Sequence, residues 1–479
     1  MMARPVPASV RHSRPLLLAS VALIGVTSVM AWGIRAAWAQ EGPNPSVTLT
    51  FGSILTVDDN KNLDPVSGGT TTTLDNRVGL VYRTETVGSL LEMNASGVLR
   101  FSDAPGESRN TSFDDRRVGL RYSREGANST LGLTLSRTEN DVAYFDPFVL
   151  VEDPDAPITT GDLTTSRTGS RADSVVGLRF AAGEGGPLAL SFALNRRDRS
   201  YSNVTDPSFF DTTSTALSLG LTLRPVERTG ISLTMSQTDY SAEDVARTDR
   251  QTRRVRFGVT HAMSPDMTVS FSLGKTWIDE EELVGGLPVA TSRSGLNSSV
   301  GLSRDLANGS IGVTLGRDLS GSGNRTDLSF SRTLDLPRGS LAATLGTSHQ
   351  SGGGSTVIGS LSYAEELPRG ALRASLSRRG GTTEDGNDTT TTRANLGWSH
   401  ALSPQGGIDL SIDYLDVKSD VVGDDRNRAR LRLAYTWDLT PDWQLAGGYT
   451  RSESRKEASG TATSNAVFLS LQRAVTFAP

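Results

Sequence analysis

Met267-Thr-Val-Ser-Phe-Ser-Leu-Gly-Lys-Thr-Trp277 follows directly on a turn, Met263-Ser-Pro-Asp266. Successive side chains of an extended chain point to opposite faces. Met267, Val269, Phe271 and Leu273 therefore share one face, and Thr268, Ser270, Ser272 and Gly274 the other. The same pattern recurs at 188–194, 217–223, 408–414 and 469–471. One greasy face backed by small polar side chains suits a wall with lipid outside and water inside.

The connections decide how such strands are threaded. Short ones are Arg-Pro-Val-Glu-Arg (224–228), Met-Ser-Pro-Asp (263–266), Leu-Pro-Arg-Gly (336–339 and 367–370), Leu-Ser-Pro-Gln-Gly (402–406) and Leu-Thr-Pro-Asp (439–442). They alternate with long, acidic, Gly/Ser/Thr/Asn-rich connections such as 57–74, 140–169, 279–291 and 380–391. A chain passing up and down through a membrane has tight turns on one side and free loops on the other. The spacing predicts about 22 strands between 46–57 and 463–477, within a range of 20–24 because the Gly/Ser-rich region 318–356 marks its strands poorly. The expected fold is all-β: a single transmembrane up-and-down antiparallel β-barrel over 40–479, with no plug domain.

Aromatic placement gives an independent indication. Tyr82, Tyr122, Phe180, Trp398, Tyr435 and Trp437 fall outward near the short turns, and Phe101, Trp277, Tyr414 and Tyr449 outward near the long loops. Two belts of amphipathic rings are what a bilayer's interfaces select.

Only 36% of the 479 residues are hydrophobic, and after residue 34 no stretch approaches the roughly 20 apolar residues of a spanning helix. A barrel needs none, since only alternate residues face lipid. Residues 1–39 read as a signal peptide: Arg4, Arg11 and Arg14 are basic, 16–34 is apolar, and Ala37-Trp38-Ala39 precedes Gln40. An uncleaved anchor helix is the alternative, because the apolar run is long. Cleavage removes four Arg and no acid, taking the net charge of −5 to −5 − 4 = −9. No basic nucleic-acid footprint is present, and with no Cys disulfides and thiolate sites are excluded.

Val467-Phe-Leu-Ser-Leu-Gln-Arg-Ala-Val-Thr-Phe477 resembles the C-terminal assembly signal of outer-membrane barrels, with Arg473 interrupting its apolar row and Ala478-Pro479 following the aromatic. In layout the chain resembles plugless, porin-like barrels of Gram-negative bacteria, including the beta-barrel porins of capsule and exopolysaccharide systems. It does not resemble a TonB-dependent receptor, whose plug would precede the barrel, because alternation starts at Val47. The resemblance implies the bacterial outer membrane with both mature termini periplasmic. Implied partners are outer-membrane lipid, lipopolysaccharide, the barrel assembly machinery and a polysaccharide. It transfers no site residue.

The lumen is where function is expected. By facing, Arg77, Arg83, Arg117, Arg121, Arg179, Arg254, Arg256, Arg373, Arg379, Arg428, Arg430 and Arg432 point inward. Rings of Arg make an anion-selective path. Alternatively, these cations pair with inward Asp75, Glu92, Asp173, Asp327, Asp409 and Asp413 to stiffen the wall. Loop 140–169 carries Tyr144, Phe145 and Phe148 beside Glu152, Asp153 and Asp155, an apolar cluster that a solvent loop has little use for. It is expected to fold into the mouth as a constriction, or else to pack as an ordinary surface loop.

A repeat is also visible: Gly79, Gly119, Gly177, Gly258 and Gly397 occupy equivalent inward places. The acidic clusters Asp58-Asp59 and 279–282 lack dedicated cation-site spacing, and no cofactor or metal is expected. His261 and His400 sit in two copies of one turn motif, and His349 lacks a third triad member, so no enzyme is expected. The function expected is passive passage of solutes, anionic saccharides or polymers among them, through an Arg-lined lumen. The alternative is a structural or assembly barrel of exopolysaccharide export or the envelope, with a closed lumen.

Overall fold

The alternating stretches become strands because each can hand its backbone ladder to the next. The protein is described by a computed structural model covering residues 45–477, apart from 107, 145–147, 149–168, 205, 207–208, 322, 352, 383–387, 420–424 and 457–459. The first strands are β1 (Ser46–Asp58), β2 (Thr71–Thr86), β3 (Ser89–Asp103), β4 (Asn110–Glu125), β5 (Ser129–Asp141), β6 (Ser170–Ala182) and β7 (Leu188–Ser202). Next come β8 (Thr212–Val226), β9 (Thr229–Ala242), β10 (Asp249–Ser264), β11 (Met267–Val284), β12 (Leu287–Leu306), β13 (Gly309–Ser320), β14 (Gly323–Leu336) and β15 (Gly339–Gln350). The last are β16 (Ser355–Leu367), β17 (Gly370–Thr382), β18 (Asp388–Ala401), β19 (Gly406–Ser419), β20 (Arg426–Asp438), β21 (Trp443–Lys456) and β22 (Gly460–Phe477). One 3-10 turn, Val142–Tyr144, follows β5.

Each strand pairs antiparallel with the next in sequence. β1 then pairs with β22, from Val47 opposite Phe477 to Asp58 opposite Ala466, which closes the 22-stranded sheet. Closure removes every edge and satisfies the ladder internally, the condition for backbone in hydrocarbon. The seam is latched just beyond β1. The backbone N–H and side-chain amide of Asn465 donate to the Asp59 carboxylate at 2.7 and 2.8 Å. These bonds hold the Asp59 carboxyl below its ordinary range.

The outer face is greasy along its length: Phe51, Val78, Phe113, Val118, Phe257, Phe271, Leu296, Phe330 and Leu345 are all exposed. Phe101, Phe180, Tyr435 and Trp437 are exposed toward its ends, whereas Tyr449, expected near the long loops, is exposed mid-strand.

One expectation fails. Residues 279–291 form no long loop but extend β11 and β12 to a two-residue tip at Gly285-Gly286. Both glycines have positive φ (62° and 81°), as a tight hairpin turn matched to strand twist requires. Two of the four acids that suggested a loop, Asp279 and Glu280, are held by cations instead. Asp279 receives Arg253 at 3.1 Å, and Glu280 lies between Arg293 at 3.0 Å and Arg250 at 3.5 Å. The β13–β14 connection is equally tight, so long and short connections do not alternate throughout.

Candidate functional site in the barrel lumen

Toward the long-loop end the inner wall is packed and charge-matched. Arg100, with its side chain only 4% exposed, donates to Asp75 at 2.8 Å and to Asp115 at 2.9 Å, with Asp114 at 3.7 Å. A β-bulge makes this cluster possible. Between Ser96 and Val98 the register shifts against β4, and Asp115 takes a positive φ of 49°. The extra residue aims two consecutive carboxylates at one guanidinium, the kind of re-aiming that bulges provide. Asp173 is likewise shared by Arg171 at 2.6 Å and Arg199 at 3.1 Å, and Asp413 takes Arg430 at 2.9 Å. Arg254 lies 3.7 Å from Asp318. Buried pairs of this kind are worth little against an apolar core, yet removing one partner costs about 3–5 kcal/mol.

From mid-strand to the short turns the wall changes character. Arg77, Arg117, Arg121, Arg179, Arg256 and Arg373 make no side-chain hydrogen bond or ion pair among the described residues. Register places all of them on the inner face, with Arg117 between Ser96 and Thr138 and Arg256 between Thr234 and Gly274. Arg197, which facing arguments passed over, stands on the same face between Val175 and Ser214 and also lacks such a partner. Arg77, Arg117, Arg197 and Arg256 all lie mid-strand, eight or nine residues from the short-turn end.

The other expected cations are engaged. Arg83 pairs with Glu85 at 2.7 Å, and Arg432 stacks its guanidinium 4.5 Å from the Phe468 ring. Arg379 and Arg428 stand on the inner face too, and both have interaction partners. Of the expected acid partners, Asp75, Asp173 and Asp413 hold arginines, whereas Glu92, Asp327 and Asp409 form no ion pair among the described residues.

The connection after β5 enters this lumen. The Tyr144 ring lies between the Lys61 ammonium, 2.8 Å from its centroid, and the Arg100 guanidinium at 3.6 Å. Phe148 is buried against Leu415 and Val417, both 0% exposed, with Arg430 at 4.5 Å from its ring. β19 is eight strands from β5 by the shorter way round, so this segment crosses from its own wall to another. Beneath Tyr144 and Phe148 lies a cavity of about 600 Å³, lined by residues of β1 to β4 and β20 to β22, acids such as Asp75 and Asp115 among them. The remaining residues of the expected constriction, Phe145, Glu152, Asp153 and Asp155, lie outside the described residues.

Other sequence candidates have structural roles. Asp58 accepts from Ser464 and Asn60, and Asp59 from Asn465. His261 bonds Thr229 at 3.0 Å, His349 bonds Ser355 at 3.1 Å, and His400 stacks on Trp398. At Gly79, Gly119 and Gly258 an added Cβ would strike the cross-strand side chains of Thr50, Asn94 and Ser232. Gly177 and Gly397 have room, so the repeat is not explained by close approach at every copy.

No family model and no curated protein matches the chain. Solved structures do. The ferric-catecholate import receptor Fiu from E. coli K12 superposes with a TM-score of 0.56 at 10% identity, over 91% of this chain and 82% of that one. The FrpB iron transporter from Neisseria meningitidis gives 0.57 at 10% identity, over 90% and 81%. The siderophore receptor PirA from Pseudomonas aeruginosa gives 0.51 at 8% identity, over 91% and 81%. At such identity the likeness is one of fold: this chain has the closed barrel of outer-membrane transporters. The sequence layout pointed to porin-like barrels, whereas these likenesses are to siderophore receptors and an iron transporter.

Proposed function

We propose that the protein is a plugless, passive outer-membrane channel for anionic solutes, saccharides and their polymers among them. In this reading 1–39 is a cleaved signal, both mature termini and the short turns are periplasmic, and the chain is not an enzyme. Lipopolysaccharide surrounds it, and the barrel assembly machinery inserts it. The observation that carries the proposal is the set of inward arginines without partners at mid-strand, Arg77, Arg117, Arg197 and Arg256. Uncompensated cations on a water-facing wall attract anions and raise their local concentration. A purely structural wall would gain nothing from leaving four of them unpaired.

The packed long-loop end favours a second reading, a scaffold barrel with a closed lumen. Reconstitution in a planar bilayer separates the two. The channel reading expects large, stable steps whose reversal potential in a salt gradient lies on the anion side. Replacing Arg117, Arg197 and Arg256 together by Ser moves that potential toward zero. Silence from a folded, heat-modifiable barrel favours the scaffold, and an unmoved potential in the triple variant sinks the role of the arginines.

A further inference from the structure

We infer that the outer face of β11–β14 carries a docking site for a bisphosphorylated glycolipid, the lipid A end of lipopolysaccharide, at the long-loop edge of the apolar band. The inference rests on the membrane orientation proposed above and not on conduction. Along these strands the outward residues form an apolar wall, with Phe271, Leu273, Leu296, Val300, Leu315 and Phe330 all exposed. On two of the strands that wall ends in a cation. Lys275 follows Leu273 on the outer face of β11, and Arg317 follows Leu315 on that of β13. Acyl chains suit such a wall, and anionic groups suit its rim.

The two cations are unspent. Arg317 is exposed and makes no side-chain hydrogen bond or ion pair with a described residue. Lys275 is exposed as well, its ammonium 5.1 Å from the Trp277 ring and without an ion pair among the described residues. Neighbouring acids are turned away or engaged. Asp318 faces the lumen, 3.7 Å from Arg254. Asp279, the next outward acid along β11, is held by Arg253 at 3.1 Å and by the Ser292 hydroxyl at 2.6 Å. The short-turn rim of the same sector differs. There Arg304 holds Asp266 at 2.9 Å, and Arg332 donates to Asn308 at 2.8 Å. A lipid-facing cation is tolerated at either interface, yet only at the long-loop rim of these four strands does it lack a described protein partner.

Register sets the spacing. Lys275 stands opposite Leu296 and Arg317 opposite Ser298, both on the strand between them. Two strand spacings and a two-residue offset put the two backbone positions about 12 Å apart at ordinary sheet geometry. That separation suits a disaccharide head bearing a phosphate at each end. A guanidinium grips a phosphate with two hydrogen bonds, and an ammonium holds one as a point charge. A lipid with a single phosphate would satisfy one cation and leave the other bare.

The test is native mass spectrometry of the refolded mature protein in detergent, titrated with hexa-acyl lipid A, its monophosphoryl form, phosphatidylglycerol and inorganic phosphate, with planar-bilayer recording alongside. Lipid A is expected to bind at least about tenfold more tightly than the other three. Arg317→Gln and Lys275→Gln should each weaken lipid A about tenfold, the loss of one charge-assisted contact, and bring it level with the monophosphoryl form. Arg304→Gln, at the opposite rim, should leave lipid A binding unchanged. Equal binding of the two lipid A forms overturns the inference, as does a preference for phosphatidylglycerol. Binding untouched by both substitutions, an equal loss in Arg304→Gln, or displacement of lipid A by equimolar inorganic phosphate overturns it too. Anion-selective steps without lipid A binding sink this inference and leave the channel standing. Selective lipid A binding to a silent barrel does the reverse.

Discussion

Arg100 and Arg117 stand on adjacent strands of one wall, and their surroundings differ in nearly every respect. Arg100 is buried among three carboxylates and covered by the Tyr144 ring. Arg117 is exposed, flanked by Ser96 and Thr138, and pairs with nothing described. The contrast extends round the barrel. Toward the long-loop end lie the cation-paired carboxylates Asp75, Asp173, Glu280 and Asp413, together with the inward apolar residues Ile278, Leu415 and Val417. From mid-strand to the short turns lie small side chains and uncompensated cations. A charge whose field is spent on a neighbouring carboxylate can hold structure but offers little to a passing ion. One left beside Ser and Thr does the opposite.

The sharpest break of this comparison is truncation of the two arginines. Arg100→Ala should destabilise the barrel by about 3–5 kcal/mol, because Asp75, Asp114 and Asp115 lose their shared cation. Arg117→Ala should stay within about 0.5 kcal/mol of the parent, as surface changes do. The temperature of heat-modifiability on gels reads both, and equal shifts would erase the distinction. Phe148→Ala comes next. It should cost up to about 3 kcal/mol and, by removing the side chain that packs on Leu415 and Val417, raise single-channel conductance. Unchanged conductance would mean that Phe148 does not narrow the path.

The smallest effect is expected at the seam. The Asp59 carboxyl is held low by its bonds from Asn465. Its contribution is therefore complete above the ordinary carboxylate range and is lost as pH falls through the depressed value. Acidification should lower the heat-modification temperature more in the parent than in Asp59→Asn, and identical pH profiles would remove Asp59 from the latch.

Strand number and facing were legible because one rule, period-2 alternation between lipid and water, acts on every strand. The rule weakens where the wall is buried on both faces. Leu415 and Val417 point inward beside outward Ile412 and Tyr414, and only the run of apolar residues on both parities hints at it. Arg100 shares parity with Glu92 and Ser96 and could have been read as inward. Its ring of acids could not, since Asp115 reaches it through a bulge that no alternation marks. The 279–291 hairpin was misread for a related reason. Its acids resemble solvent-loop charge until Arg250, Arg253 and Arg293 are brought beside them by pairing. The unpaired arginines emerged only from register, which decides who has a neighbour.

The most direct test of the two-part lumen uses the absence of cysteine from the chain. Single cysteines at inward positions, Ala193→Cys and Thr260→Cys nearer the short turns and Ile278→Cys and Val417→Cys toward the long loops, can be labelled in the folded barrel with anionic and cationic methanethiosulfonates. The account predicts fast labelling at 193 and 260, faster with the anionic reagent, and slow labelling at 278 and 417 with either. Equal rates at all four positions, or a preference for the cationic reagent at 193 and 260, would contradict it.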